Sequence, residues 1–443
     1  MTPNPTPDSS SDSPRVGRSI RRALPSWPTA SWVILVVATA VWVSLLVKGG
    51  RKLGGDGNDF AVFHAVGERL LAGEPIFDGV YMYPPFFALL MLPLSVLPPS
   101  LAGWLWLIGK VPVLHWSAHV LAKSAGLSRA WHLAVTIGAP LWIYRFVDSD
   151  CATGNCNIYL LGGIALVVSG LERRRELRAG IALAVVAAIK LSPAYVIVAL
   201  GVSRRWRVAG AAALMLAILL ILPGQWLAPG EPPARRFLGL AGAAFDVGDP
   251  TRTPETWVDG GYVPGQSIRA VVHRLTRPID ATAHDQGRDV MIHLTSVDPS
   301  TAEWIYRGLA LLLGSGALVV IARASRIEVR PLWITGVACT VLLVISPYAR
   351  KAHFVLLLPA MIELARALAP SIGVRISLAS SWVLAELSSR AIWGKAIAAL
   401  FLAYGVVGAA ALLLLPGLWM TRPRAAIVSP ESPRRTKGTR VRP

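Results

Sequence analysis

The sequence has little of the charge that a water-soluble protein carries on its surface. Only 16% of its 443 residues are charged, whereas 54% are hydrophobic. Apolar runs of about 17 to 25 residues recur along the chain, and a run of that length crosses a bilayer as a helix. Hydrocarbon offers no hydrogen-bond partner, so a spanning segment must satisfy its own backbone. The shortage of charge therefore argues against a soluble protein and predicts an all-α polytopic membrane protein with about 10–12 transmembrane helices.

Cysteine is also scarce. The chain has three cysteines, which are too few for a disulfide framework. Cys339 lies inside an apolar run, where it is predicted to be a small core residue. Cys151 and Cys156 share a short loop and could form a disulfide if that loop faces an oxidising compartment. The sequence leaves that pairing open.

Acidic residues are outnumbered by basic ones. There are 25 acidic and 44 basic residues, so the net charge is +19. In a soluble chain this charge would suggest nucleic-acid binding, but no groove-reading motif accompanies it. The positive charges instead flank the apolar runs, where they orient the helices and contact anionic headgroups. We therefore expect the lipid bilayer, and no nucleic acid, as a partner.

The chain divides into a transmembrane part and two polar tails. Residues 1–29 are rich in Ser and Pro and are predicted to form a disordered cytoplasmic tail. Residues 30–420 form the predicted transmembrane domain, and residues 421–443 form a basic cytoplasmic tail. With the N-terminus in the cytoplasm, the long polar segments 48–82 and 228–302 face outward.

The apolar run 178–203 is interrupted by "KLSP", Lys190 to Pro193, and has basic residues on both flanks. This pattern indicates a broken helix or a hairpin rather than one straight span. A lysine between apolar halves is costly and usually functional, although it can also snorkel to the cytoplasmic interface. If the segment stays at the cytoplasmic side, Lys190 cannot reach an outward site.

The stretch "DFAVFHAVGERLLAG" follows the first apolar run and begins with Asp59. Its apolar residues recur at helical spacing and Gly73 provides a stop, so a short amphipathic helix is predicted. Asp59 or Asn58 can cap this helix by accepting a free backbone N–H. The next apolar segment follows Tyr83, whose simplest role is in an interfacial aromatic belt.

Several motifs follow one another in a fixed order across about residues 45–365. "DF-x-x-F" and "LLAGEPIFD" are followed by "YPPFFALLMLPL", "GNCN", "AAIKLSPAYVI", "GQSIRAVVHRL" and "ISPYARKAHFVLLLPA". This ordered set resembles the polyprenol-phosphate-dependent mannosyltransferases of glycosyltransferase family 87, which have the GT-C membrane fold. The chain departs from the family pattern at Cys156, at Gly265 and between Tyr348 and His353. These departures indicate a donor or acceptor that differs from those of characterised members.

The resemblance implies a role for each matching residue. Asp59 matches the acidic residue that the first outward loop supplies in GT-C enzymes, and a carboxylate there can take the proton of an acceptor hydroxyl. A single displacement then inverts the configuration of the sugar. The residues implied for the donor phosphate are Lys190, Arg350, Lys351 and His353. Those implied for substrate binding are Tyr83, Asn155, Asn157, Gln266 and Ser267.

Plain structural explanations compete with these roles. The segment from Arg350 to His353 can be a basic turn that contacts headgroups. Gly154 followed by Asn155 is equally a turn signal. The histidines are scattered and the acidic residues of the segment 228–302 form no ligand-spaced cluster, so no metal is predicted. No cofactor is predicted either, because the polyprenyl-phosphate sugar enters as a substrate.

The predicted function is that of a multi-pass plasma-membrane glycosyltransferase with an extracytoplasmic active site. It would transfer a hexose, with mannose expected, from a polyprenyl-phosphate donor to a lipid-linked or cell-envelope glycan. One alternative is a transporter or flippase of lipid-linked sugars, which would line several spans with polar residues. The other is a non-catalytic membrane scaffold in which Asp59 is only a helix cap.

Overall fold

The computed structural model describes residues 27–53, 58–74, 76, 81, 83–227, 265–281 and 290–422. Every regular element in these ranges is a helix, which confirms the predicted all-α membrane fold. Most of the two predicted tails and most of the segment 228–302 lie outside the described residues.

The helices are numbered in chain order. They are α1 (Trp27–Gly50), α2 (Asp59–Ala72), α3 (Pro85–Ser95), α4 (Pro99–Ala125), α5 (Arg129–Trp142), α6 (Tyr144–Thr153), α7 (Asn157–Glu172), α8 (Glu176–Ile189), α9 (Ala194–Val202), α10 (Trp206–Leu227), α11 (Ile268–Thr276), α12 (Pro299–Ala324), α13 (Pro331–Ile345), α14 (Leu358–Ala365), α15 (Ile372–Leu387), α16 (Arg390–Ala403), α17 (Val406–Leu412) and α18 (Leu414–Met420). A 3-10 helix, Lys351–Leu357, lies between α13 and α14.

Three helices contain a stretch that is long and apolar enough to cross a membrane alone, namely α1, α10 and α12. Two bent pairs also qualify: α3 with α4, bent by 113°, and α16 with the segment Val406–Met420, bent by 60°. Large apolar side chains on the three long helices, such as Val36, Leu214 and Leu311, are exposed, as lipid-facing side chains are. The described helices thus supply three to five spans by length and composition. The expected total of about 10–12 crossings stays a prediction.

The run 178–203 forms two helices, as the "KLSP" motif predicts. α8 ends at Ile189, Lys190 has an extended backbone (φ −148°, ψ 126°), and α9 begins at Ala194. Proline in a helix interior removes a hydrogen bond and clashes with the preceding turn, so Pro193 favours the break here. The break leaves Lys190 outside both helices.

The centre of the bundle is densely packed. α4, α7 and α8 pack side by side, α10 covers α8, and α13 pairs with α14. Leu114 of α4, Leu160 of α7 and Leu183 of α8 are fully buried. Gly336 of α13 permits the close approach of α14, because a Cβ atom there would lie 3.0 Å from the Cα atom of Ala360.

The predicted amphipathic helix is α2. It begins at Asp59 and ends at Ala72, and the following Gly73, with a φ of 72°, provides the left-handed C-cap that glycine favours. Phe60 and Phe63 are buried and anchor α2 to the bundle. The helix start, the stop and the buried face agree with the sequence pattern.

Candidate active site

Asn58 caps α2, which leaves the Asp59 carboxylate available. The Asn58 Oδ1 atom accepts a hydrogen bond from the backbone N–H of Phe60 at 2.8 Å. The Asn58 Nδ2 atom donates to the carbonyl of Lys52 at 3.0 Å. The capping position therefore belongs to Asn58, and Asp59 is the first residue of the helix, partly exposed.

The loop between α6 and α7 packs directly against the start of α2. Gly154 has a φ of 66°, and a Cβ atom at this position would lie only 2.3 Å from Asn58 Oδ1 and 2.7 Å from Phe60 Cβ. Trp106 of α4 donates its indole N–H to the Gly154 carbonyl at 2.8 Å. Glycine is thus required here for both the backbone conformation and the close approach. Gly154 and Asn155 form a turn, and this turn places the Asn155 side chain next to Asp59.

Asn155 holds the Asp59 carboxylate through its side-chain amide. The Asn155 Nδ2 atom donates to Asp59 Oδ2 at 2.5 Å. The Asn155 Oδ1 atom accepts from the backbone N–H of Cys156 at 2.8 Å and from Asn157 Nδ2 at 2.7 Å. Because the amide oxygen has two donors, the amide nitrogen is the atom that faces Asp59. This orientation suits an ionised carboxylate, which only accepts hydrogen bonds.

A buried ion pair contacts Asn157, whose side-chain amide in turn contacts Asn155. Asp150 Oδ2 accepts from both the backbone N–H and the Nδ2 atom of Asn157 at 3.1 Å. Asp150 Oδ1 accepts from Lys110 Nζ at 2.7 Å, and both side chains are completely buried. The sequence analysis missed both residues. The available signal was Lys110 itself, since a charge inside the apolar run of α4 is costly unless it is paired.

Lys190 reaches the same region from the break between α8 and α9. Its ammonium is hydrogen-bonded to His353 Nε2, and it lies 5.6 Å from the centre of the Tyr83 ring. The His353 Nδ1 atom lies 3.1 Å from the Arg350 backbone nitrogen and 3.2 Å from the Arg350 carbonyl oxygen. Lys190 also interacts electrostatically with Asp59 and Arg350.

Tyr83 completes the group. Its ring makes an edge contact with Phe63 at 4.9 Å between ring centres, and it interacts electrostatically with Asp59 and Arg350. The structure thus brings together six residues from five separate segments of the chain, and we call them the Asp59 cluster. They are Asp59, Tyr83, Asn155, Lys190, Arg350 and His353.

Four other residues from the sequence analysis are not members of the Asp59 cluster. Asn157 is completely buried and contacts Asn155 and Asp150. Gln266 is completely buried and donates to the carbonyls of Gly265 and Leu402 at 3.0 and 2.9 Å.

Ser267 caps α11, where its hydroxyl accepts from the backbone N–H of Ala270 at 3.4 Å. Lys351 interacts electrostatically with Arg145, Arg390, Asp148 and Lys48.

The cysteines and candidate metal ligands are quickly placed. Cys151, Cys156 and Cys339 are buried free thiols. Cys151 and Cys156 therefore do not form a disulfide in this structure. Within the ranges that the structure describes, no group of three or more His, Cys, Asp or Glu side chains is placed to hold a metal ion.

Comparison with known proteins identifies the family. The model of glycosyltransferase family 87 matches residues 81–347 of the chain, which is more than half of its length. The chain belongs to glycosyltransferase family 87. The match includes Tyr83, Asn155 and Lys190, whereas Asp59 precedes it and Arg350 follows it.

One curated relative of this family 87 protein is informative. It is a polyprenol-phosphate-mannose-dependent alpha-(1-2)-phosphatidylinositol pentamannoside mannosyltransferase from Mycolicibacterium smegmatis. The two sequences are 27% identical over 308 residues, which cover 63% of this chain and 72% of the relative. Family membership and the apolar helices together define a membrane glycosyltransferase.

The Asp59 cluster combines a carboxylate with cationic side chains. A carboxylate can take a proton from an acceptor hydroxyl, and Asp59 is fixed by Asn155 at 2.5 Å. Preorganised cations can stabilise the charge that develops on a departing phosphate, and Lys190 and Arg350 lie in the same group.

Proposed function

We propose that this membrane glycosyltransferase moves a hexose, with mannose expected, from a polyprenyl phosphate to a lipid-linked or cell-envelope glycan, with inversion. The observation that carries the proposal is the convergence of Asp59 with Lys190, Arg350 and His353. This convergence supports a base and a phosphate-stabilising group that act in one region, although the residues are distant in sequence.

Asp59 acts as the general base in this reaction. The acceptor hydroxyl oxygen attacks the anomeric carbon, and its proton passes to the Asp59 carboxylate. The bond between the anomeric carbon and the phosphate oxygen breaks, and its electron pair leaves with the polyprenyl phosphate. One displacement inverts the anomeric configuration and requires no covalent intermediate. The amide of Asn155 keeps the carboxylate in place before the proton arrives.

Lys190, Arg350 and His353 stabilise the leaving phosphate. Lys190 and His353 are linked directly, and His353 in turn contacts the backbone of Arg350. Fixed donors that face developing negative charge need not reorganise during the reaction, which is why they lower the barrier. The proposed reaction uses no metal ion.

The donor, the side of the membrane and the compartment are also part of this proposal. The printed name of the Mycolicibacterium smegmatis relative supports polyprenol-phosphate-mannose as donor and a glycolipid as acceptor. The basic tail at 421–443 and the arginines before α1 support a cytoplasmic location of both chain ends. The C-terminal end of α1, which precedes Asp59 in the chain, then faces outward across the plasma membrane.

A transfer assay with the purified full-length protein tests this function. The protein is incubated with radiolabelled polyprenyl-phosphate mannose and a glycolipid acceptor, and polyprenyl phosphate and labelled glycolipid are both quantified. An enzyme releases the two products in equal amounts. Movement of intact donor across a liposome membrane without polyprenyl phosphate release would favour the transporter, and neither event would favour the scaffold.

A further inference from the structure

A second group of charged residues lies around Lys351, the residue that follows Arg350 and begins the 3-10 helix. We call it the Lys351 cluster. Its members are Lys48, Arg145, Asp148, Lys351, Glu386 and Arg390. The 3-10 helix that begins at Lys351 packs against α6, where the Phe354 and Phe146 rings lie 5.8 Å apart. α6 therefore contributes Asp148 to the Lys351 cluster, and its Asp150 contacts Asn157 next to the Asp59 cluster.

The Lys351 cluster has more cations than carboxylates. Asp148 is engaged by Lys48, whose Nζ atom lies 2.6 and 2.8 Å from the two carboxylate oxygens. Glu386 interacts electrostatically with Arg145. Lys48 and Arg145 are thus each associated with a carboxylate, whereas Lys351 makes no hydrogen bond or ion pair with any described residue. Burial, followed by the nearby charges of Arg145 and Arg390, lowers the pKa of the Lys351 ammonium to about 8.

Arg145 leaves a buried donor unused. Its side chain is only 9% exposed, and its Nη2 atom donates to the carbonyl of Ser388 at 2.9 Å. Its Nε atom is buried and has no hydrogen-bond partner. A buried donor without a partner costs free energy comparable to a lost hydrogen bond. An anion that accepts from Nε and faces the Lys351 ammonium would satisfy the donor and balance the charge together.

The position of the cluster indicates which anion fits. Lys48 lies in the last turn of α1, one of the long apolar helices. A membrane helix of this kind ends at the depth of the lipid headgroups. The anionic group that is abundant at this depth is the phosphodiester of a glycerophospholipid, and guanidinium and ammonium groups are its usual partners.

We propose that the Lys351 cluster binds the phosphodiester of an anionic glycerophospholipid, at a site separate from the one that receives the sugar donor. Arg145 and Lys351 contact the phosphate oxygens, while Lys48 stays with Asp148. The phosphodiester belongs either to the lipid acceptor or to a bilayer lipid, since both present the same group.

Lipid binding by the purified full-length protein tests the site. The protein is kept in maltoside micelles, which contain no phosphate, and short-chain phosphatidylinositol is compared with short-chain monoglucosyl diacylglycerol by native mass spectrometry. Loss of a charge-assisted hydrogen bond of about 1.5–3 kcal/mol corresponds to a roughly ten- to hundredfold weaker affinity. We expect Lys351→Gln to lose phosphatidylinositol affinity by this factor and to bind the uncharged lipid as wild type does.

Lys52→Gln is the matched control. Lys52 is exposed near the same end of α1 and belongs to neither cluster. It should retain the preference for phosphatidylinositol. Wild-type affinity in Lys351→Gln would overturn the site, and so would equal losses in the two lysine variants, because equal losses indicate diffuse attraction. The test relies on Lys351→Gln and requires no substitution of the buried Arg145.

A kinetic arm distinguishes the two sources of the phosphodiester and rests on the proposed function. If the acceptor supplies the group, Lys351→Gln raises KM about tenfold for an acceptor with a phosphodiester but not for one without it. If a bilayer lipid supplies it, the variant changes KM equally for both acceptors. Failure of glycosyl transfer itself would leave the binding result intact, so the two proposals can fail separately.

Discussion

Asp148 and Asp150 of α6 each form an ion pair with a lysine, and the two ion pairs differ in how deeply they are buried. Asp150 pairs with Lys110 where both side chains are completely buried, and it supports the Asp59 cluster through Asn157. Asp148 pairs with Lys48 where the lysine side chain is 48% exposed, and it belongs to the Lys351 cluster. The first pair is an internal support with every charge engaged. The second is half-exposed on the lysine side and lies near Lys351 and Arg145, which is the arrangement expected of a site that meets an outside anion.

The largest difference between the clusters is expected at Asp59. Asp59→Asn should lower kcat by about 10²–10⁴, which is the usual contribution of a general base. The asparagine can still accept the hydrogen bond from Asn155, so the local structure is kept. The measurement is polyprenyl phosphate release at saturating donor. Glu68→Gln is the control, because Glu68 is a half-exposed acid on the same helix, outside both clusters, and it should keep wild-type rates.

The next comparison is between the two lysines that the sequence analysis assigned to the donor phosphate. Lys190→Gln should lower kcat by about 10²–10³, as removal of one preorganised donor does. Lys351 belongs to the other cluster. At saturating acceptor, the loss of kcat in Lys351→Gln should therefore be at least about ten times smaller than the loss in Lys190→Gln. Equal losses of kcat in the two variants would indicate that both lysines serve a single phosphate site.

The two ion pairs should differ in their contribution to stability. Lys110→Met leaves Asp150 buried without its cation, which costs about 3–5 kcal/mol of unfolding free energy. Lys48→Met removes a half-exposed partner and should cost less than about 1 kcal/mol. Denaturant titration of both variants in the same detergent measures the difference. Similar losses would show that burial does not separate the two pairs.

The smallest expected effect is a pH dependence of phospholipid binding. The pKa of Lys351, lowered to about 8 by burial and by nearby cations, means that the ammonium is present at pH 7 and is lost as pH rises through 8. Affinity for phosphatidylinositol should therefore fall up to about tenfold between pH 7 and pH 9. The groups that face Lys351 are Arg145, Arg390, Asp148 and Lys48. A profile that is equally steep in Lys351→Gln would assign the titration to one of these instead.

Local signals predicted the parts of the fold that depend on neighbouring residues. The helix start at Asp59, the stop at Gly73 and the break at Lys190–Pro193 all follow from residues within one turn of the event. The family resemblance also selected Asp59, Asn155 and Lys190, which the structure brings together. These predictions required no knowledge of how distant helices pack.

Contacts between distant segments could not be read from the sequence. Lys110 and Asp150 are separated by a whole helix, and only the packing of α4 against the last turns of α6 joins them. Arg350 and Lys351 are neighbours, yet the extended backbone of Arg350 (φ −104°, ψ 169°) directly precedes the 3-10 helix. One basic motif is thereby divided between two clusters.

The most direct test is a structure of the full-length protein with a non-hydrolysable phosphonate analogue of a polyprenyl-phosphate sugar. We expect a phosphonate oxygen within about 3 Å of Lys190 Nζ and the anomeric carbon on the side of the Asp59 carboxylate. The Lys351 cluster should remain without donor. A phosphonate bound to Lys351 and Arg145, with the sugar remote from Asp59, would contradict the assignment of the two clusters.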